Sequence, residues 1–151
     1  MKLHLIRHGK AVKYSGKEDH SRTLSKKGVG QIERLTEYLG EKLNNAEAWS
    51  SSSARTIGTL EILSEEITFA NKKIIDDFYL CNKEAYLNEI WKNSNDLDLV
   101  IIGHNFGISD LVNYLSDELV LMSTGEYICL EFSNLSLKES SKGTGTIVDR
   151  L

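Results

Sequence analysis

Residues 3–9 read LHLIRHG, an apolar run that ends at an arginine, a histidine and a glycine. Residues 99–105, LVIIGHN, have the same arrangement, with a second histidine directly after an apolar run. Nearly continuous apolar runs of this length are typical of strands that are buried on both faces of a parallel sheet. Because loops and helix amino termini converge at the carboxyl ends of such strands, we expect His8 and His104 at one edge of one sheet.

Strand-like and helix-like segments alternate along the rest of the chain. Strands are predicted over residues 2–6, 47–51, 73–76, 98–103 and 126–132, the last of them antiparallel. Helices are predicted after the caps Ser25, serines 50–53 and Asn82, and over Phe106–Leu115; the first is closed by Asn44 and Asn45. From Ser133 we expect an edge strand or an irregular end. This order predicts one domain over residues 1–151, an α/β/α sandwich of three layers around a mainly parallel, mixed sheet.

The composition limits the classes of partner. The chain has 151 residues, 40% of them hydrophobic, and a net charge of -4, which argues against a nucleic-acid or anionic-membrane surface. The first apolar stretch is interrupted by His4 and ends at Arg7, so it is too short for a signal peptide or a spanning helix, and we expect a cytoplasmic location. Cys81 and Cys129 stand alone, which predicts reduced thiols without a disulfide or a zinc site.

The residues around the two histidines suit a phosphate. Arg7 offers a fork of donors that fits a phosphoryl group, His8 offers a nucleophilic imidazole, and Gly9 allows close approach of the backbone. Arg55 falls in the first turn of a predicted helix, where free N–H groups and the helix dipole already favour an anion. Together with His104 these residues predict one phosphate-sized site.

Positive neighbours oppose protonation of an imidazole, so we expect His8 to stay neutral and able to attack. Attack on a phosphoryl group gives a phosphohistidine intermediate, which water then hydrolyses. Arg7, Arg55 and His104 are the residues that we expect to stabilise charge on the phosphoryl oxygens.

These residues resemble the histidine phosphatase superfamily, the phosphoglycerate mutase-like family, whose signature is Arg-His-Gly after the first strand. The likeness continues through residues 22–28 (RTLSKKG) with Gln31, through Ser51 with Arg55 and Thr56, through residues 102–107 (IGHNFG), and through Thr124-Gly125. The short chain and the pair Asp19 and Arg22 look most like the SixA-type branch of protein phosphohistidine phosphatases.

The resemblance implies a phosphoglycerate mutase-like fold and a hydrolase in which His8 is phosphorylated. It also implies that no metal ion and no cofactor take part. Further residues are assigned to the phosphoryl site: Arg7, Arg55 and His104 as catalytic residues, and Gly9, Arg22 and Asn105 as substrate contacts.

Several residues depart from the family pattern. Lys10 stands where the family often has an acidic residue or an amide, and we expect it to add attraction for anions. Ser52 replaces a proline. No carboxylate is an obvious general acid, since Asp76, Asp77 and Glu84 are expected to be solvated or capping residues.

The missing acid favours phosphohistidine as the substrate. Imidazole leaves far more readily than an alkoxide, since its conjugate acid has a pKa near 6.5, about the model value for histidine. The implied partner is a phosphorylated protein, such as a histidine-phosphotransfer domain. Two alternatives stay open: a phosphatase of small phosphomonoesters, and a noncatalytic phosphate-binding domain. The sequence leaves open whether the chain is a monomer or an oligomer.

Overall fold

The computed structural model describes residues 1–16, 18–40, 42–43 and 45–151. The strands are β1 (Lys2–Arg7), β2 (Glu47–Ser51), β3 (Asn71–Ile75), β4 (Leu99–Gly103), β5 (Tyr127–Glu131) and β6 (Thr146–Arg150). The α-helices are α1 (Lys26–Leu39), α2 (Ala54–Leu63), α3 (Lys83–Asn93) and α4 (Gly107–Ser116). Within the described ranges, no helix is both long enough and apolar enough to cross a membrane.

The strands form one mixed sheet in the order β3-β2-β4-β1-β5-β6. β3, β2, β4 and β1 run parallel, whereas β5 is antiparallel to β1 and β6 is antiparallel to β5. The predicted α/β fold with a mainly parallel, mixed sheet is therefore confirmed, as is the antiparallel orientation of β5. β4 enters the sheet between β2 and β1, which places the carboxyl ends of β1 and β4 side by side.

Helices cover both faces of the sheet. Alternate residues of each strand point to opposite faces, so the apolar side chains of one strand can pack against helices on both sides. Leu3 and Leu5 of β1 belong to a core cluster with α3 and α4, and Ile6 belongs to a second cluster with α1 and α2. The first cluster contains Leu87, Ile90, Ile108, Leu111, Val112 and Leu115 from the two helices. The second contains Ile32, Leu35, Leu39, Leu60 and Leu63.

The helix α1 ends earlier than its apolar pattern predicts. It stops at Leu39, where Gly40 is the C-cap, although Leu43 continues the apolar spacing and is buried in the same cluster. Glycine is a poor helix former, so the helix ends there while the chain after it keeps packing on the core. The predicted closing residue Asn44 lies outside the described residues.

The two edge strands of the sheet, β3 and β6, are harder to predict from the sequence than the central strands. β3 begins at Asn71, two residues before its predicted start, and all five of its residues are exposed or half-buried. The tail forms the edge strand β6, the first of the two predicted outcomes. An edge strand packs few of its side chains, so its sequence carries little apolar pattern.

Gly28 in the first turn of α1 packs directly against the backbone of Lys10. A Cβ at Gly28 would collide with the Lys10 carbonyl oxygen, so we predict that Gly28→Ala lowers the free energy of unfolding by about 1–3 kcal/mol. The matched control is Gly30→Ala in the same helix, where the nearest atom to a new Cβ is 3.7 Å away and helix propensity favours alanine. Urea unfolding of the two variants measures both effects; equal stability would contradict the predicted collision.

Candidate active site

Two neighbouring strands bring His8 and His104 together. Arg7, the last residue of β1, pairs in register with Gly103, the last residue of β4. The His8 backbone N–H donates to the Gly103 carbonyl at 3.2 Å, which continues the pairing by one residue. The two imidazole rings lie with their centroids 5.1 Å apart. The structure thus places both histidines at one edge of the sheet, as the sequence predicts.

Arg55 reaches this edge from the amino end of α2. Ser53 caps the helix by accepting a hydrogen bond from the Thr56 N–H, and Arg55 lies in the first turn. The side chain of Arg55 is only 3% exposed. A buried guanidinium at a helix amino terminus concentrates positive charge beside the free N–H groups of the first turn.

The second arginine of the predicted site, Arg7, is held by the loop before β5. Its Nη1 donates to the Met122 carbonyl at 2.8 Å, while its Nε is buried without a hydrogen-bond partner among the described residues. A buried donor without a partner is costly, so the Nε of Arg7 is available to an anion that enters the site.

These side chains meet at a cavity of about 370 Å³. Six predicted site residues, with five more, line it: Arg7, His8, Lys10, Ala11, Asp19, Arg22, Arg55, Leu80, His104, Asn105 and Thr124. Three arginines and Lys10 face one carboxylate in this set. The balance of charge in the cavity is therefore positive although the chain as a whole is acidic.

Gly9 is not among the residues that line the cavity. A Cβ on Gly9 would come within 2.7 Å of the Gly28 carbonyl oxygen, so the loop fits against α1 only with glycine at this position. The Gly9 N–H donates to Thr59 Oγ1 at 3.2 Å. Gly9 therefore contributes close packing and, through its carbonyl, the orientation of His8.

Asn105 lines the cavity, but the protein itself uses its amide group. Its Nδ2 donates to the Met122 carbonyl at 2.8 Å, and its Oδ1 accepts from Ser109 Oγ at 2.6 Å. This places Asn105 as a support for the loop that also holds Arg7.

Gln31 and Gly125 fasten the loop that follows β1. Gln31 Oε1 accepts from the Lys10 backbone N–H at 2.9 Å, and Gln31 Nε2 donates to the Thr124 carbonyl at 2.9 Å. The Gly125 N–H donates to the His8 carbonyl at 3.0 Å, in a turn where Gly125 has a φ of +75°. A residue with a side chain rarely adopts this conformation, so glycine suits the turn that anchors His8.

Two contacts determine the tautomer of His8. Its Nδ1 lies 2.7 Å from the Gly9 carbonyl oxygen, which can only accept, so Nδ1 carries the proton. Its Nε2 accepts from Arg55 Nε at 3.3 Å, so Nε2 carries a lone pair. The nitrogen with the lone pair therefore faces the guanidinium, at the wall of the cavity.

Both imidazoles are held neutral. Burial lowers the pKa of His8 to about 4, and the charges of Arg55 and Arg7 add to the effect, while the hydrogen bond to Gly9 opposes it. Burial also lowers the pKa of His104 to about 3, with His8 and Arg55 as further causes. Near pH 7 the lone pair of His8 is thus available for attack.

His104 is positioned by serines from the end of β2 and the start of α2. Its Nε2 contacts Ser51 Oγ at 2.9 Å and Ser53 Oγ at 3.5 Å. Its Nδ1 is buried with no hydrogen-bond partner among the residues described. One nitrogen of His104 therefore remains for a ligand.

Asp19 and Tyr79 are parts of the site that the sequence reasoning did not assign. Asp19 lies in a 3-10 turn, Asp19–Ser21, and contacts Arg55, Arg22 and Tyr79. The hydrogen bond from Tyr79 is the largest cause that lowers the pKa of Asp19, to about 2, and Arg55 is the next. In the sequence, the only indication of a role for Asp19 is its pairing with Arg22, which resembles the SixA-type branch.

The depressed pKa values of the histidines predict a pH-dependent stability. Between pH 4 and 6.5 the unfolded state binds more protons than the folded state. The free energy of unfolding therefore falls as the pH drops through this window, and the contribution of His8 is fully retained above pH 6.5. We expect His8→Gln to reduce the slope of unfolding free energy against pH by up to about 1.4 kcal/mol per pH unit. Urea unfolding between pH 4.5 and 7 measures the slopes; an unchanged slope would mean that His8 titrates normally.

Solved structures with this fold align with almost the whole chain. A protein histidine phosphatase SixA complexed with tungstate has a TM-score of 0.84 and 18% identity, covering 100% of this chain and 96% of that chain. A protein of Nakamurella multipartitia, provisionally described as the phosphohistidine phosphatase SixA, has a TM-score of 0.83 and 20% identity, covering 99% and 94%. Its counterpart from Agrobacterium tumefaciens, described in the same provisional way, has 0.81 and 20%, covering 99% and 96%.

At these identities the likeness shows the fold. A search of curated proteins found no match. The model of the histidine phosphatase superfamily, branch 1, matches residues 3–78, half of the chain, and this segment includes Arg7, His8 and Arg55. The chain therefore belongs to the histidine phosphatase superfamily.

Proposed function

We propose that the protein is a phosphatase that works through a covalent phosphohistidine on His8, without a metal ion, and that its substrate is phosphohistidine on a protein. One observation carries the proposal: the His8 imidazole is neutral and presents the lone pair of Nε2 to a cavity lined by guanidinium groups. This is the protonation state that a histidine nucleophile requires.

In the first step the lone pair of His8 Nε2 attacks phosphorus, and the bond from phosphorus to the leaving group breaks. The electron pair of that bond goes to the leaving group. Arg55 gives up its contact of 3.3 Å with Nε2 and donates to a phosphoryl oxygen instead. Arg7 Nε, without a partner among the described residues, supplies a further donor where charge develops, and His104 Nδ1, also without a partner there, supplies another in the tautomer that carries its proton on Nδ1.

The Gly9 carbonyl stabilises the intermediate. Once Nε2 carries the phosphoryl group, the ring is cationic and its proton remains on Nδ1, 2.7 Å from that carbonyl. In the second step a water oxygen attacks phosphorus, the N–P bond breaks, and Nε2 recovers its lone pair. The protons of the water remain on the phosphate product and the solvent, so His8 returns to its initial state.

The surroundings of the cavity support a protein substrate. Leu80 lines the cavity and is 54% exposed, and Phe106, next to the lining residue Asn105, is 71% exposed. Leu121, which precedes the carbonyl that holds Arg7, is 65% exposed. Exposed apolar side chains beside a cationic cavity suit a phosphorylated protein surface better than a small phosphomonoester. A histidine-phosphotransfer domain is the partner that we propose.

The location that we propose is the cytoplasm. Cys81 and Cys129 are free cysteines, which fits a reducing compartment. A phosphorylated partner protein in the same compartment would be accessible to the cavity.

We predict that brief exposure to a labelled phosphohistidine protein leaves an acid-labile, base-stable label on His8. Trypsin cleaves after Arg7 and Lys10, so His4 falls in the peptide 3–7 and His8 in the peptide 8–10. Mass spectrometry of the quenched digest then assigns the label to one histidine. A label on His4 or His104 would contradict the proposed nucleophile.

The variant His8→Ala separates catalysis from binding. We expect it to retain binding of inorganic phosphate through Arg7 and Arg55 but to lose hydrolysis of an activated aryl phosphate by a factor of at least about 10³. A noncatalytic phosphate-binding domain would bind phosphate in both proteins and hydrolyse the ester in neither. Equal hydrolysis by both proteins would contradict the covalent mechanism.

The leaving group provides a further test. No carboxylate other than Asp19 lines the cavity within the described ranges, and the pKa of Asp19, near 2, leaves it without a proton to donate. We therefore expect kcat/KM for a phosphohistidine peptide to exceed that for an alkyl phosphate by at least about 10²-fold, since only the alkoxide needs a general acid. Preference for the alkyl ester would favour the small-phosphomonoester alternative.

A further inference from the structure

Asp19 is an unexpected neighbour for a phosphoryl group. Its carboxylate lines the same cavity as Arg7 and Arg55, where a negative charge weakens the attraction for a phosphate. The low pKa of Asp19, caused first by the Tyr79 hydroxyl and then by Arg55, keeps it ionised. Arg22, Arg55 and Tyr79 already pair with this charge.

The hydrogen bonds of Asp19 leave it a free acceptor position. Oδ1 accepts from Arg22 Nε at 2.9 Å, and Oδ2 accepts from Arg55 Nη2 at 3.1 Å and from the Tyr79 hydroxyl at 2.5 Å. A carboxylate offers about four acceptor positions, so one on Oδ1 remains. The Asp19 side chain is 34% exposed, whereas that of Arg55 is 3% exposed, so the carboxylate is the more accessible member of this ion pair.

Arg55 sets the separation between the nucleophile and the carboxylate. Its Nε contacts His8 Nε2 and its Nη2 contacts Asp19 Oδ2, so the two acceptors lie one guanidinium group apart. A phosphoryl group that is attacked by the buried His8 carries its leaving group on the opposite side, toward the open part of the cavity. Among the described residues that line the cavity, Asp19 is the only carboxylate and is more exposed than Arg55, so it can reach a leaving group that points to the open part.

We propose that Asp19 recognises the imidazole ring of the substrate: its carboxylate accepts a hydrogen bond from the ring nitrogen that does not carry phosphorus. This inference rests on the proposed function and names the group that selects phosphohistidine. Asp19 acts on the leaving imidazole as the Gly9 carbonyl acts on His8, by holding the proton of the distal nitrogen.

The proton matters for the balance of the first step. In a phosphohistidine whose distal nitrogen is protonated, His8 Nε2 forms a new N–P bond as the substrate N–P bond breaks. The electron pair of the broken bond returns to the substrate ring, which leaves as neutral imidazole and keeps its distal proton. Without that proton the leaving group would be an imidazolate anion. A carboxylate beside the distal N–H favours the protonated form.

The test compares two substrates in the wild-type protein and in Asp19→Asn. A phosphohistidine peptide has a ring N–H to recognise, and 4-nitrophenyl phosphate has none, although both carry the same phosphoryl group. We expect Asp19→Asn to lower the ratio of the two kcat/KM values at least about tenfold, and to move the alkaline limb of peptide hydrolysis down by one pH unit or more. Tyr79→Phe, which removes one hydrogen bond to Oδ2 but retains the carboxylate, should change the ratio much less than Asp19→Asn does.

If Asp19→Asn lowers kcat/KM for both substrates by the same factor, or abolishes both activities, Asp19 only positions Arg55 and the inference is overturned. A change of the ratio in Tyr79→Phe equal to that in Asp19→Asn would overturn it as well. If the wild-type protein hydrolyses 4-nitrophenyl phosphate but not the peptide, the proposed substrate is wrong, a result that the wild type alone reveals before any variant is made.

Discussion

The arrangement of the site depends on the hydrogen bond from His8 Nδ1 to the Gly9 carbonyl. It directs the proton to one side of the ring and the lone pair to the other, toward Arg55. The carbonyl is in place only because the loop lies against α1, with Gly9 packed on the Gly28 backbone and bonded to Thr59. The contact between His8 and Gly9 therefore depends on packing against α1, which contains Gly28, and α2, which contains Thr59.

Electrostatics in the cavity follows from burial as much as from charge. His8 and His104 lie at the ends of adjacent buried strands, and desolvation is the largest cause of their low pKa values. The arginines act in the same direction on both rings. The neutral state of His8 near pH 7 is therefore a property of the fold and of the guanidinium groups together, since each opposes a charge on imidazole.

Much of this arrangement could be predicted from the sequence. The apolar runs before His8 and His104 identify two buried strands, and parallel strands of such a sheet share one functional edge. The serine-rich segment before Arg55 predicts a capped helix, which the structure contains at Ser53. Strong local patterns therefore predicted the parts of the fold that position the two histidines and the buried arginine.

Other features depend on contacts that no local pattern encodes. The helix α1 ends at Leu39 because Gly40 is a poor helix former, although the apolar pattern continues beyond it. The start of β3 is hard to predict because an edge strand packs few of its side chains. The tautomer of His8 depends on a backbone carbonyl. Asp19 contacts Arg55 36 residues later and Tyr79 60 residues later in the chain, so its role is visible only in three dimensions.

In the proposed reaction the phosphoryl group passes between two similar imidazoles, and the site presents a different group to each ring. The buried ring of His8 faces a neutral carbonyl, which orients its proton without attracting a second one. Asp19, the one carboxylate among the described residues that line the cavity, is the group that in the proposed reaction favours a cationic substrate ring. A protonated phosphoimidazole transfers its phosphoryl group more readily than a neutral one, so a carboxylate beside the substrate ring would promote transfer to His8. Phosphorylated His8 is cationic as well, with its proton on Nδ1 beside the Gly9 carbonyl, so the transfer stays reversible until water breaks the N–P bond at His8.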